Sequence, residues 1–264
     1  MSNMKNAPLI YAIGMIQFPR IPDFERFTNQ FMESMRKEYP LDDDYIAQIF
    51  NAQINPSGVS MEPQTTKLWQ FASADRQWAF VLNEQALFLH TSNYLDFANF
   101  AKRFRTGISA LLKIENINIE WMTSIGIRYV NMIDTLHGNN PQKYLKPWVL
   151  PVEAPHRSLE SIQGIYAVCY KTQYGGLRLQ ALHNPTFTLP PELNSPFIIK
   201  NGWTKDKPIN DFALVDIDHC TTWQNPSKFD MDIVLHTLGN LRSTSRIIFD
   251  SIGTEYAKNY WEGK

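Results

Sequence analysis

The sequence predicts an α+β protein in which antiparallel strands form one sheet or two and helices cover one face. Short apolar runs bounded by turn residues are typical of strands, and longer stretches with apolar residues at helical spacing are typical of helices. The resulting order, β-α-β-β-β-α-β and then β-β-β-α, lacks the strict alternation of a parallel α/β fold. With 264 residues, of which 44% are hydrophobic, the chain can also bury a substantial core.

The first half of the chain begins with a strand and a helix. Residues 8–18 are rich in Ile, Tyr and Leu, and Pro22 then opens a helix over residues 23–38 whose aromatic residues recur at helical spacing. Residues 51–64 contain two prolines and a glycine and are predicted as a loop. The further elements are three short strands at residues 67–72, 77–82 and 86–90, a helix that Asn93 caps, and a long strand at residues 117–133.

The second half of the chain follows a proline-rich connection. Four prolines lie within residues 141–155, which divides the chain into an N-terminal half (1–140) and a C-terminal half (156–264), with one continuous domain as the alternative. Beyond it, strands are predicted at residues 161–173, 177–183 and 212–222, with a turn at Gly175–Gly176. Residues 184–207 are predicted as a long irregular segment. The last element is a helix that begins at a capping box, Ser227–Asp230, and continues to about Tyr260 with a break near Gly239.

Composition argues against several classes of function. The net charge of −1 provides no basic excess for wrapping nucleic acid. We see neither a signal peptide nor an apolar run long enough for a membrane span, so the expected compartment is the cytoplasm. The two cysteines, Cys169 and Cys220, lack a CxxC spacing and lie among apolar residues, which predicts buried free thiols.

The common catalytic and cofactor signatures are missing from the sequence. There is no glycine-rich phosphate loop, no HExxH zinc motif and no GxSxG nucleophile elbow, and the six histidines lack metal-ligand spacing. Scattered residues could still form an active site in the fold. Nothing in the sequence requires an enzyme, however, and we expect no cofactor.

Asp216 and Asp218 form the acidic pair that comes nearest to a metal-binding pattern. Residues two apart on a strand share a face, so both carboxylates could hold a hard cation such as Mg²⁺. The alternative is a half-exposed strand whose polar face carries both acids while Val215 and Ile217 point to the core. Both residues are therefore candidate ligand or metal residues, without a dedicated metal site being assigned.

Arg128 lies in the long middle strand, on the face opposite to Ile127 and Tyr129. A strand arginine can clamp a phosphate or a carboxylate with two parallel hydrogen bonds. It can equally pair with an internal acid such as Asp216, which is the structural alternative. Arg128 is therefore a candidate ligand-binding residue.

Three residues are candidates for binding a protein partner. Lys102 and Arg103 belong to a basic run on the second helix, which is either a solvated face or a surface for an acidic partner. Trp203 lies in the irregular segment at 184–207 and is the best candidate for an exposed recognition aromatic, because tryptophan is enriched in interface hot spots.

Several short motifs resemble one family. They are Pro8-Leu-Ile-Tyr-Ala12, the helix that follows Tyr94, the strand Ile127-Arg-Tyr-Val-Asn131, the strand Val215-Asp-Ile-Asp218 and the helix at Leu235-His236. Together they resemble a sporadically distributed family of uncharacterised bacterial proteins of about this length. The resemblance spans most of the chain and implies a link to mobile, conflict-related genes.

These observations lead to two competing hypotheses about function. The first is a non-enzymatic protein-binding module, such as an immunity protein or antitoxin that neutralises a toxin. It is favoured by the absent catalytic motifs, the balanced charge and the 13% aromatic content. The alternative is a metal-dependent enzyme or nucleotide-binding sensor that uses Asp216 and Asp218. We expect a protein partner and neither a membrane nor a nucleic acid.

Overall fold

The computed structural model describes residues 4–55, 58–134, 141–150, 158–159, 161–194 and 211–264. Its strands are β1 (Leu9–Gln17), β2 (Leu41–Asn55), β3 (Gly58–Ala72), β4 (Trp78–Asn83), β5 (Ala86–Thr91), β6 (Trp121–Asp134), β7 (Gly164–Thr172), β8 (Gly175–His183) and β9 (Phe212–Lys228). Its helices are α1 (Glu25–Met35), α2 (Phe97–Leu112), α3 (Pro191–Asn194), α4 (Met231–Ile252) and α5 (Glu255–Glu262).

All nine described strands belong to a single antiparallel sheet, in the order β2-β3-β4-β5-β1-β6-β9-β8-β7. This confirms the α+β class and the antiparallel pairing. The pairing of β6 with β9 joins the strands of the two halves of the chain. Of the two arrangements left open by the sequence, the structure therefore shows one sheet.

The main core lies between the sheet and four helices on its first face. Alternate residues of the strands, such as Ile127 and Val215, point to this face and contact side chains of α1, α2, α4 and α5. From α2 come Phe100 and Phe104, both fully buried. Burying each such side chain contributes about 1.5–3 kcal/mol to the free energy of unfolding. The larger of the two apolar clusters therefore makes the larger contribution to stability.

The second face of the sheet carries a smaller apolar cluster. Ile13 of β1, Val130 of β6 and Leu214 of β9 pack there, together with Leu193 of α3 and the preceding Leu189. The prediction of helices on one face is therefore wrong for the short α3, which packs on the second face. Part of the predicted irregular segment at 184–207 therefore covers this face, and residues 195–207 lie outside the described part of the chain.

The predicted loop at residues 51–64 is wrong, because strands β2 and β3 run through most of it. Their register continues from Leu41 opposite Ala72 to Asn55 opposite Gly58. Pro63 is tolerated because β4 pairs only with Trp69–Ala72, so β3 has a single neighbouring strand at Pro63. Four strands rather than three consequently separate α1 from α2.

Three predicted turns and caps are also displaced. Asp96, not Asn93, caps α2, and its side chain accepts a hydrogen bond from the backbone of Asn99. The predicted capping box at residues 227–230 is replaced by the end of β9 and by Asp230 alone as the cap of α4. The tight turn between β7 and β8 comes two residues before the predicted Gly175–Gly176.

The long C-terminal helix does not break at Gly239. Helix α4 continues to Ile252, and the break lies at Gly253, whose backbone is extended. The chain around Leu145 pairs there with the helix end, since the backbone N–H of Lys146 bonds to the carbonyl oxygen of Ile252. Tertiary backbone pairing therefore decides where this helix ends. None of the helices described is long and apolar enough to cross a membrane.

Candidate functional site

Arg128 and Asp216 form a two-point ion pair on the second face of the sheet. Nε of Arg128 donates to Oδ1 of Asp216 at 2.9 Å, and Nη2 donates to Oδ2 at 2.7 Å. Their side chains are only 13% and 2% exposed. The antiparallel β6–β9 ladder brings the two residues onto one face at diagonal positions.

Further charged residues extend this pair into a network. The Nη2 of Arg128 also donates to Glu192 of α3 at 2.7 Å. Arg178 of β8 lies 3.6 Å from Asp216 and 3.5 Å from Asp218, measured between its Nη2 and their carboxylate oxygens. Two guanidinium groups therefore face three carboxylates, and we call these five residues the charged network.

Burial and pairing shift the pKa of three residues of the charged network, Arg128, Glu192 and Asp218. Burial alone would lower the pKa of Arg128, but Asp216 and Glu192 outweigh it and raise that pKa above its usual value. Burial would raise the pKa of Glu192, yet the hydrogen bond from Arg128 lowers it. For Asp218, burial raises the pKa and the nearby guanidinium groups offset only part of the change.

The charged network therefore pairs most of its charges internally, with one carboxylate in excess of the guanidinium groups. The structure shows the pairing of Arg128 with Asp216, which was the structural alternative for this arginine. Both oxygens of Asp216 already accept hydrogen bonds from Arg128, so a cation at Asp216 and Asp218 would have to displace a guanidinium group. Among the described residues, no group of three or more His, Cys, Asp or Glu is arranged to hold a metal ion.

The structure separates the residues predicted to bind a partner. Arg103 is half-buried and already makes contacts within the fold, because its guanidinium lies 4.6 Å from the centre of the Trp78 ring and donates to the hydroxyl of Tyr39. Lys102 is exposed on α2. Trp203 lies outside the described residues. Cys169 on β7 is exposed and Cys220 on β9 is only partly buried, so the predicted burial of both thiols is wrong.

A buried polar pair on the second face was not predicted from the sequence. The hydroxyl of Tyr11 lies 3.2 Å from Nδ1 of His90. Burial, together with the charge of Arg128, lowers the pKa of His90 to about 3. His90 is therefore neutral in the folded protein at physiological pH, which argues against a role as a proton-transferring group there.

An acidic cleft of about 400 Å³ lies between α1 and the first strand pair. Its walls come from Glu25, Thr28, Asn29, Met32, Asp42, Asp43, Asp44, Trp69 and Phe71. The only sequence signal for it is the run of three aspartates at 42–44. The apolar floor of Trp69 and Phe71 becomes visible only once β2 is paired with β3.

A lysine already neutralises part of this cleft. Nζ of Lys67 lies 2.6 Å from Glu25 and 2.8 Å from Asp44, and 5.3 Å from the centre of the Trp69 ring. These contacts link β3 to α1 across the mouth of the cleft. Asp42 and Asp43 are exposed beside them, so the cleft keeps a negative surface.

Strands β2 and β3 continue beyond the sheet as a two-stranded arm. The last residues of β3 that pair with β4 are Trp69–Ala72, whereas its pairing with β2 continues to Gly58. We call residues 45–55 and 58–68 the arm. Eleven residues at about 3.4 Å each give the arm a length of roughly 35 Å. Its only exposed large apolar side chain among the described ones is Ile46.

No protein-family model matches the sequence, and no curated protein matches it either. The charged network, the acidic cleft and the arm are therefore interpreted from their own geometry.

Proposed function

We propose that the chain is a non-enzymatic protein-binding module and that the arm, with the acidic cleft at its root, is its docking surface. The arm carries this proposal. An isolated two-stranded hairpin is marginally stable in water, and both outer edges of the arm present backbone groups that no described strand pairs with. A partner that packs on the arm, or that adds a strand to it, would stabilise the hairpin and would form hydrogen bonds with these backbone groups.

The acidic cleft supports a partner with a basic surface. Asp42, Asp43 and Asp44 lie together where the arm leaves the sheet, with Trp69 behind them. Carboxylates beside an aromatic ring favour a lysine or arginine side chain through charge and cation–π attraction. Within this proposal, an immunity protein or antitoxin that neutralises a toxin is the role implied by the family resemblance.

The alternative, a metal-dependent enzyme or nucleotide sensor at Asp216 and Asp218, has less support. Both carboxylates lie next to guanidinium groups, and Arg128 uses its hydrogen-bonding edge on Asp216 and Glu192. A phosphate or metal would have to break these contacts. Such an activity would require a rearrangement of α3, which supplies Glu192.

The test compares the whole chain with a variant whose arm is shortened. Residues 48–65 are replaced by Asn-Gly, so that the cross-strand pair Ala47 and Thr66, which is in the same hydrogen-bonding phase as Asn55 and Gly58, closes a two-residue hairpin. Lys67 keeps its contacts with Glu25 and Asp44. Both tagged proteins capture partners from the native host, and quantitative mass spectrometry identifies proteins that only the whole chain retains. Ile247→Ala, an exposed position on α4, is the matched control.

The captured protein is then purified and titrated into each variant by calorimetry. We expect the shortened arm to weaken binding at least about 100-fold, and Asp42→Asn with Asp43→Asn to weaken it about tenfold and reduce its salt dependence. Equal affinity for the whole and the shortened chain would contradict the proposal. The toxin-neutralising role further predicts that the whole chain, but not the shortened one, restores growth of cells that express the partner.

A further inference from the structure

Strand β7 ends the sheet on the side opposite to the arm, with one edge facing away from β8. No described strand pairs with that edge. Exposed edges are usually protected by charges or by proline. The opposite end strand, β2, carries three consecutive aspartates, whereas β7 has Lys171 as its single charged residue. Ile165 on β7 and the preceding Ile162 are 67% and 78% exposed.

The sequence of β7 is nearly symmetric in residue class about Val168. Counted outward from this residue, the matching positions hold Ala167 and Cys169, Tyr166 and Tyr170, Ile165 and Lys171, and Gly164 and Thr172. Small residues thus match small residues and tyrosine matches tyrosine, while the long stem of lysine matches isoleucine. An antiparallel pairing of β7 with itself about Val168 would place each of these residues opposite its match.

The backbone of β7 is suited to this pairing. The two-residue turn at residues 173–174 makes Thr172 and Gly175 the closing, hydrogen-bonded pair of the β7–β8 hairpin. Because the direction of the backbone groups alternates along a strand, the N–H and C=O groups of four residues point outward. These are Ile165, Ala167, Cys169 and Lys171. In the symmetric register they bond only to one another.

The charges of β7 also permit self-pairing. Each Lys171 would lie opposite Ile165 of the second copy. The two lysines would then be separated along the ladder by six residues, about 20 Å, which exceeds the screening length of about 8–10 Å at physiological salt. No like charges would face each other across the interface.

We propose that β7 is the homodimer interface of this protein, in which two copies pair antiparallel about Val168 and extend the sheet across both molecules. The ladder would be about 30 Å long and about 10 Å deep, and would bury roughly 600 Å² in total, less than the ~1,200 Å² of a stable interface. Contacts from exposed Trp148 and Ile162, which flank β7, would add to it. The proposed dimer therefore belongs to the weak, transient class of interfaces. This inference is independent of the arm, which lies at the other end of the sheet.

Two substitutions of Ile165 test the register by charge. Ile165→Lys places a lysine opposite Lys171 twice in the dimer, and Ile165→Glu places a glutamate there. Sedimentation velocity of the full chain between about 1 and about 200 µM should show a dimer whose dissociation constant is about 10- to 30-fold higher for the lysine variant than for the glutamate variant. Ile247→Lys on α4, equally exposed, should leave the dimer unchanged.

A cysteine cross-link provides a second readout that does not depend on affinity. In a Cys169→Ser background, Val168→Cys should give a disulfide-linked dimer on mild oxidation, because the two side chains face each other at the symmetry axis. Ile247→Cys in the same background should not. A wild-type chain that remains monomeric at the highest concentration would overturn the proposal. Equal dissociation constants for the two Ile165 variants would also overturn it. A third contradicting result is a wild type that forms no dimer while Ile165→Lys loses the ability to capture another protein.

Discussion

Removing one member of the Arg128–Asp216 pair should destabilise the protein far more than removing both. Asp216→Leu leaves Arg128, 13% exposed, with Glu192 as its remaining hydrogen-bonded acid. Leaving one charge of a buried pair without its partner costs about 3–5 kcal/mol. Because Glu192 still accepts a hydrogen bond from Arg128, we expect the low end, about 3 kcal/mol. Arg128→Met should cost a similar amount, since Arg178 lies beyond hydrogen-bonding distance from Asp216.

The double variant Arg128→Met with Asp216→Leu separates pairing from packing. Apolar replacements of similar volume remove both buried charges, so its free energy of unfolding should lie within about 1 kcal/mol of the wild type. Urea unfolding at pH 7 measures all three variants, with the midpoint and the slope both recorded. A cost below about 1 kcal/mol for Asp216→Leu, or additive costs in the double variant, would refute this reasoning. The double variant should also keep its affinity for the captured partner.

Four further predictions concern stability. The pKa of His90 is about 3 in the folded protein, and the imidazole takes up a proton more readily once the chain unfolds. Lowering the pH from 6.5 to 5 should therefore reduce the free energy of unfolding of the wild type by about 2 kcal/mol more than that of the His90→Gln variant. Urea unfolding at several pH values checks this difference. Gly107→Ala should cost about 1–3 kcal/mol because the new Cβ would lie 2.1 Å from the ring of Phe80. Gly239→Ala, whose Cβ would have ordinary contacts, should stabilise the protein by about 0.5–1 kcal/mol in thermal unfolding. Asp96→Ala should lower stability by about 1 kcal/mol through loss of the α2 cap, and an unchanged melting temperature would contradict that role.

Local patterns in the sequence were sufficient for most elements and for the fold class. Strands such as β1 and β5, and the apolar stripe of α2, depend on nearby residues alone, and the structure places them within a few residues of the prediction. The prediction failed where backbone pairing with residues distant in the sequence decides whether a segment is a strand or where a helix ends. Pro63 indicates a loop locally, yet a long register with β2 holds it in a strand. Gly239 indicates a break locally, yet backbone pairing near Leu145 places the break at Gly253.

For the candidate sites, too, the sequence identified single residues but not the contacts between residues that are distant along the chain. The sequence singled out Arg128, Asp216 and Asp218, and gave pairing with Asp216 as one reading of Arg128. It could not show that Arg178 and Glu192 complete the charged network, because these residues lie on other strands and helices. The acidic cleft likewise depends on a helix meeting a strand pair, and the symmetry of β7 has meaning only once β7 is known to be an end strand.

Amide hydrogen exchange of the whole chain, with and without its captured partner, tests the central claim most directly. In the free chain, the arm at residues 45–55 and 58–68 should exchange quickly, because most of its backbone hydrogen bonds are exposed to solvent. Binding should slow exchange there and at Asp42–Asp44, and leave the β6–β9 ladder unchanged. Protection confined to the strands around Arg128 and Asp216, with the arm unaffected, would contradict the account.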